Sequence, residues 1–196
     1  MKKLCVLGVT GSIGINVCDV VKQNPNDFEI VGVALSSNIE TLRKILFDHP
    51  SIKYIAIQNY ELGEQLKKDY PELIVYNDDN YLINVIDAYS YDMVVNSLVG
   101  FDGLIPTIHT LNKNIDCALA NKESLVVGGE LINKILQEKD SEISKLKQDK
   151  EMLIQANGNL LLKVPQGREE TPEIEKEKDP RDFDFRTVFE NGKFKR

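Results

Sequence analysis

The chain has 196 residues, 42% hydrophobic and 28% charged, an ordinary balance for a folded soluble protein of one domain with room for a second only if small. Its 31 acidic and 24 basic residues give a net charge of −7, which argues against the basic footprint of a nucleic-acid binder, so no nucleic-acid partner is expected. No apolar run reaches the roughly 20 residues of a membrane helix and no signal-peptide pattern opens the chain, so the expectation is no membrane partner and a cytoplasmic location.

The first predicted strand, CVLG (5–8), leads directly into GVTGSIG (8–14), three glycines spaced by three with Thr10 and Ser12 between them. A helix is predicted from about Ser12, with its periodic core at 13–22. Strand, glycine turn and helix N-terminus in that order make a phosphate site, because the first N–H groups of a helix lack partners and carry its partial positive charge. Gly8 permits the tight turn, Gly11 lets backbone approach a pyrophosphate, and Gly14 lets helix and strand pack closely. The spacing is GxxGxxG rather than the usual GxGxxG, and the alternative is a purely structural turn.

The second strand, IVGVAL (30–35), ends in Ser36, Ser37 and Asn38. An NAD-binding chain usually carries Asp or Glu at this corner for the ribose 2′-hydroxyl. Hydroxyls and an amide instead accept a 2′-phosphate, which favours NADP over NAD; the alternative is a plain polar loop. Helices are then predicted at 39–47, 61–69, 81–88 and 104–111, alternating with strands at 54–57, 73–76, 93–99 and 115–120. The strands are continuous apolar runs, buried on both faces. Such alternation predicts an α/β class, a Rossmann-like parallel sheet with helices on both faces. Cys5, Cys18 and Cys117 lie inside apolar segments with no CxxC pair and read as buried reduced thiols.

The last strand stops at Ala120, and Asn121, Lys122 and Glu123 follow at its carboxyl end, where open α/β sheets bind ligands. Lys122 suits a phosphate or substrate oxygen, and Asn121 suits a cofactor amide; the alternative is a helix N-cap with a solvated first turn. Near residue 138 the pattern changes. Residues 1–138 hold 11 Lys and Arg against 18 Asp and Glu, whereas 139–196 hold 13 of each. A heptad runs through Leu136, Ile143, Lys150 and Asn157 at one core position and Ile132, Lys139, Leu146, Leu153 and Leu160 at the other. It predicts one long helix, either a homo-oligomeric coiled coil through residues 132–160 or a solitary exposed helix. After Pro165 the charged, Pro-containing run predicts a disordered tail. The expected parts are a nucleotide-binding domain (1–138), a helical or coiled-coil segment (139–164) and the tail (165–196).

GVTGSIG, NSLVGFDGLIPT (96–107) and ALANKESLVVGGELI (118–132), in this order, resemble the N-terminal domain of the 1-deoxy-D-xylulose 5-phosphate reductoisomerase family over residues 1–138. The resemblance implies an NADPH-dependent oxidoreductase of non-mevalonate isoprenoid biosynthesis. Its reaction converts a phosphorylated sugar, 1-deoxy-D-xylulose 5-phosphate, to 2-C-methyl-D-erythritol 4-phosphate with Mg²⁺ or Mn²⁺. It further implies that Thr10, Gly11, Ser12 and Ile13 meet the cofactor pyrophosphate and that Ser36, Ser37 and Asn38 meet the adenosine side. Asn121 and Glu123 would contact cofactor, and Lys122 substrate.

Three positions depart from the family pattern: Val9 stands where a hydroxyl residue is common, Ser37 where a basic one is, and Asp102 where a small apolar one is. The family continues with another strand and Asp-Ser-Glu-His, whose carboxylates bind the metal. Here Asp140, Ser141 and Glu142 follow the preceding helix directly, and Ile143 replaces the histidine. On a continuing helix Asp140 and Glu142 point about 200° apart. No catalytic or metal residue is therefore assigned, residues 139–196 read as foreign to the family and faintly like phage coiled-coil structural proteins, and this truncated chain is expected to be inactive alone. The competing class is a non-catalytic interaction protein carrying a remnant nucleotide-binding domain.

Overall fold

A computed structural model describes residues 1–161, 189–190 and 193–194. The chain divides into two compact units, Met1–Gln148 and Asp149–Arg196. The first is built on six parallel strands: β1 (Lys2–Leu7), β2 (Phe28–Leu35), β3 (Tyr54–Ile57), β4 (Ile74–Tyr76), β5 (Met93–Asn96) and β6 (Asp116–Leu119). They are connected by α1 (Ser12–Gln23), α2 (Ile39–Asp48), α3 (Tyr60–Asp69), α4 (Tyr81–Asp87) and α5 (Leu104–Asn112), and α6 (Lys122–Leu161) follows β6.

Successive strand residues point to opposite faces, so a strand buried on both sides must be apolar throughout. In β1, Leu4 and Val6 join one core with Ile30, Val33 and, from α1–α3, Cys18, Leu42 and Leu66. Cys5 and Leu7 join a second core with Val31, Ala34, Tyr91 and, from α4, Val85 and Ile86. Cys5 is fully buried, and burial pushes its thiol far up from the usual range. The sheet order is β4-β3-β2-β1-β5-β6. The chain steps outward from β1 to β4, then returns through α4 to β5 on the other flank of β1. The carboxyl ends of β1 and β5 therefore flank the switch point, where open α/β sheets hold ligands.

The parallel sheet with helices is the expected fold, and the long helix is present as one continuous element. Strand ends differ from the sequence reading. β1 starts at Lys2 because a strand mouth tolerates charge: Lys3 pairs with Glu29, and the Lys2 amide donates to the Asp27 carbonyl (2.7 Å). β5 stops at Asn96, three residues before the expected end, because the Asn96 side chain accepts from the Leu98 amide (3.2 Å) and turns the chain, leaving Val99 85% exposed. On α6, Ile132 is buried, whereas the heptad residues Leu136, Ile143, Leu146 and Leu153 are exposed. Most of the expected disordered tail lies outside the described residues. Within it, Phe189–Glu190 and Lys193–Phe194 form a minimal antiparallel pair. The sequence between them is Asn191-Gly192, a hairpin signal that a composition argument passes over. No helix among the described residues is long and apolar enough to cross a membrane.

Candidate functional site

The glycine loop sits at the carboxyl end of β1. Gly8 has φ +79°, and a Cβ there would lie 2.8 Å from the Ser97 carbonyl oxygen, so both backbone and space require glycine. At Gly14 a Cβ would lie 2.5 Å from Val9 Cα, which is how the first turn of α1 comes to rest on the loop. Gly11 is the N-cap of α1, with no side chain capping the helix and no acid in its first turn. The first N–H groups of α1, at Ser12 and Ile13, thus open outward from exposed residues, with nothing competing for an anion. Thr10 is half-buried beside them.

The β2 corner is tied to this loop by one acceptor: the Ala34 carbonyl takes hydrogen bonds from the amides of Gly8 and Val9, each 2.9 Å. Ser36, Ser37 and Asn38 are all exposed at that corner. Their side chains differ in availability. Ser36 Oγ donates to Gln58 Oε1 (2.7 Å), and Asn38 Oδ1 caps α2 by accepting from the Thr41 amide (3.0 Å). The Ser37 hydroxyl and the Asn38 amide N–H groups have no bond among the described residues. The first acid after the strand is Glu40, in the first turn of α2.

The opposite wall is made by side-chain amides. Asn96, fully buried, donates to the Gly103 carbonyl and to Thr107 Oγ1, both 2.8 Å. Asn121, 1% exposed, donates to the carbonyls of Leu98 (2.7 Å) and Gly100 (2.8 Å), and its Oδ1 accepts from both the amide and hydroxyl of Ser124. All four hydrogen-bonding positions of the Asn121 amide are thereby used within the protein. It is the N-cap of α6 and the lock on the 98–100 turn at once. That leaves Lys122, exposed, and Glu123, half-buried, as the residues of this trio that face outward. Ser97 joins the two walls: its amide (3.0 Å) and hydroxyl (2.6 Å) both donate to the Leu7 carbonyl, one residue before the glycine loop.

The geometry brings Thr10, Gly11, Ser12 and Ile13 together with Ser36, Ser37 and Asn38 across adjacent strands. Asn121, Lys122 and Glu123 stand on the far side of the crevice, with the β5 turn between. Sequence reading missed the supporting set of Asn96, Ser97, Thr107, Ser124 and Gln58. One signal was present: Asn121, just before the helix, is a favoured N-cap type, and such a side chain accepts from the amide three residues on, here Ser124. No cluster of three or more His, Cys, Asp or Glu side chains converges on a metal position among the described residues. Asp140 and Glu142 are both exposed on α6, on different sides of the helix.

The profile of the 1-deoxy-D-xylulose 5-phosphate reductoisomerase family matches residues 4–129. The chain is 37% identical over 169 residues to the 1-deoxy-D-xylulose 5-phosphate reductoisomerase of Clostridium perfringens (strain 13 / Type A), covering 84% of this chain and 44% of that protein. It is 38% identical over 136 residues to that of Clostridium botulinum (strain Alaska E43 / Type E3), covering 67% of this chain and 35% of the relative. Coverage of 84% carries the first of these alignments past residue 138, whereas the family profile stops at 129. Among solved structures, a DOX-P reductoisomerase in complex with NADPH, fosmidomycin and magnesium superposes with TM-score 0.64 at 29% identity, over 70% of this chain and 34% of that one. The Zymomonas mobilis 1-deoxy-D-xylulose 5-phosphate reductoisomerase in complex with NADPH gives TM-score 0.63 at 26% identity, over 70% and 36%. The chain spans less than half the length of the curated relatives it matches. With the profile running from the first strand into α6, the chain belongs to the 1-deoxy-D-xylulose 5-phosphate reductoisomerase family.

Proposed function

We propose that this chain binds NADPH across the β1–β5 crevice and forms the nucleotide-binding part of a 1-deoxy-D-xylulose 5-phosphate reductoisomerase. The observation that carries this reading is the uncapped, acid-free start of α1 directly behind Gly8–Gly14 at the switch point. The Ser12 and Ile13 amides and the Thr10 hydroxyl hold the pyrophosphate there, and Gly11 lets the backbone come close. Ser37 and Asn38, with free donors at the β2 corner, take the 2′-phosphate. When bound, NADPH supplies a hydride to the substrate carbon. Asn121, with no spare hydrogen bond, acts by fixing the Leu98–Gly100 turn and the first turn of α6. That aims Lys122 at a phosphate or oxygen of a phosphorylated sugar, and Glu123 at the cofactor side.

The metal used elsewhere in the family has no fitting seat among the described residues, since Asp140 and Glu142 lie about 200° apart around α6 and cannot share one ion. The reading for the chain on its own is therefore cofactor binding without turnover. Fluorescence titration with NADPH tests it: saturable binding, lost in Gly11→Val, supports the reading, and absent binding overturns it. Following NADPH oxidation with 1-deoxy-D-xylulose 5-phosphate and Mg²⁺ tests the second half, because chelator-sensitive turnover would return Asp140 and Glu142 to the site.

A second reading rests on α6, where Leu136, Ile143 and Leu146 are 44–60% exposed along one stripe. It makes the chain a non-catalytic, self-associating protein through its heptads, with a remnant nucleotide domain. Light scattering separates the two: a dimer that Ile143→Glu with Leu146→Glu dissolves favours self-association, and a monomer excludes it.

A further inference from the structure

At the amino ends of β3 and β4, the end of the sheet opposite the glycine loop, a depression of about 620 Å³ lies between α2 and the turn that leads from α3 into β4. That volume is ordinary for a small-molecule site. Leu46, Ile52 and Leu73 supply its apolar surface and belong to the core around β2 and β3, with Ile52 only 2% exposed. The backbone there is pinned. The Lys53 amide donates to the Val31 carbonyl and the Lys53 carbonyl accepts from the Ile74 amide, both 2.9 Å, and the Leu73 amide donates to the Tyr70 carbonyl (3.1 Å). Arg43 Nη2 donates to Asp69 Oδ2 (3.0 Å), tying α2 to α3. Phe47, in the last turn of α2, lines the same depression and is 87% exposed, an aromatic ring left to water.

The charges set what fits. Arg43 and Lys53 line the depression against a single acid, Glu72, whereas the depression by the start of α4 is lined by Asp79 and Asp102 with no Lys or Arg. One bond to Asp69 leaves four of the five guanidinium N–H donors of Arg43 unused among the described residues. The helices α2 and α3 end near here, but the His49 and Tyr70 amides already take the Ile45 and Leu66 carbonyls (2.8 and 2.9 Å), and a full side-chain charge exceeds the half-charge of a helix end. A guanidinium fork matches a carboxylate. Glu72 on the same rim makes a second negative charge unfavourable, so a monoanion fits better than a phosphate dianion.

We propose that this depression binds an apolar monocarboxylate, with its body on Leu46, Ile52, Leu73 and the Phe47 ring and its carboxylate on Arg43 and Lys53. Glu72 sets the charge it accepts. The site goes beyond the cofactor reading and holds whether or not the crevice takes NADPH.

The probe is 2-naphthoate, with 2-naphthamide as its neutral counterpart and 2-naphthyl phosphate as the dianion, in equilibrium dialysis against the full chain with and without saturating NADPH. Saturable binding of 2-naphthoate is expected, about tenfold tighter than the amide, as for hydrogen bonds to a charged group, and tighter than the phosphate. NADPH leaves it unchanged. Arg43→Gln and Lys53→Gln each reduce the preference for acid over amide, and Phe47→Ala weakens both by about tenfold. Glu72→Gln raises the affinity for the phosphate more than for the carboxylate. All four side chains are exposed, so the variants keep the fold, which circular dichroism verifies. Absent saturable binding, equal affinity for acid and amide, a phosphate bound as tightly as the carboxylate, or a preference undiminished in both Arg43→Gln and Lys53→Gln overturns the proposal. So does displacement of the probe by NADPH, which would place it in the crevice instead.

Discussion

On the β1 side of the crevice, backbone approaches backbone because Gly8 and Gly14 carry no side chain; on the β5–β6 side, Asn96 and Asn121 fill the space and hold turns in place with buried amides. Each wall presents main-chain groups to the same opening, yet they fail in opposite ways. The glycine wall is broken by adding atoms, and the asparagine wall by removing them. A methyl group meets main-chain atoms that have no rotamer with which to yield, whereas a lost amide strands carbonyls and N–H groups away from water.

The largest effect expected is at Gly14. Gly14→Val places its Cβ 2.5 Å from Val9 Cα, and moving a backbone costs more than the ~1–3 kcal/mol of ordinary overpacking. The variant should show no cooperative transition in chemical denaturation, and a near-native midpoint would show that this wall is softer than its distances imply. Asn121→Ala comes next. It leaves the Leu98 and Gly100 carbonyls and the Ser124 amide and hydroxyl without their partner, at about 1 kcal/mol for each of the four bonds lost, or ~4 kcal/mol in urea denaturation. A loss below ~1 kcal/mol would mean packing rather than hydrogen bonding holds the β5–β6 wall.

Gly11→Val divides the glycine wall into its two jobs. Gly11 is exposed, and a Cβ there would have one close neighbour, the Gly8 carbonyl oxygen at 3.3 Å. That contact is tight and valine is a poor N-cap, so stability should fall by about 1 kcal/mol while NADPH affinity falls more than ~10-fold. Unchanged NADPH affinity would make the loop a turn and nothing more. The smallest effect is at Lys122, exposed and without an ion pair among the described residues. Lys122→Ala should leave both stability and NADPH affinity within about twofold, because its proposed role lies with substrate. A large affinity loss by fluorescence would move Lys122 to the cofactor phosphates.

Much of the fold is legible in the sequence because burial on both faces writes itself as unbroken apolar runs, as in β1 and β2. The switch point follows from strand–helix alternation only once the sheet order is known. The sequence makes β5 too long because Leu98 and Val99 continue its apolar run; what ends it is a side-chain bond from Asn96, which no hydropathy pattern encodes. Asn121 shows the same limit. Its type and place mark it as polar and near the site, and both a cofactor contact and a helix cap are compatible with that. Only the four bonds of its amide show that the side chain is spent within the protein, which no residue type records. The Ser36–Gln58 link joins residues 22 apart in sequence and has no local signature.

The placement of Cys5 gives this sheet a clock. The thiol lies in β1, the strand that leads into the glycine loop, with no accessible surface and with its ionisation strongly suppressed. Alkylating reagents react with thiolate that water can reach. Cys5 can therefore be trapped only in the moments when β1 parts from its neighbours, and the trapping rate counts those openings. A ligand that clamps the end of the strand lengthens the interval between them by a factor of one plus the ratio of free ligand concentration to Kd. Nucleotide affinity then becomes readable by mass spectrometry as a slowing of one chemical reaction, with no optical signal from the ligand.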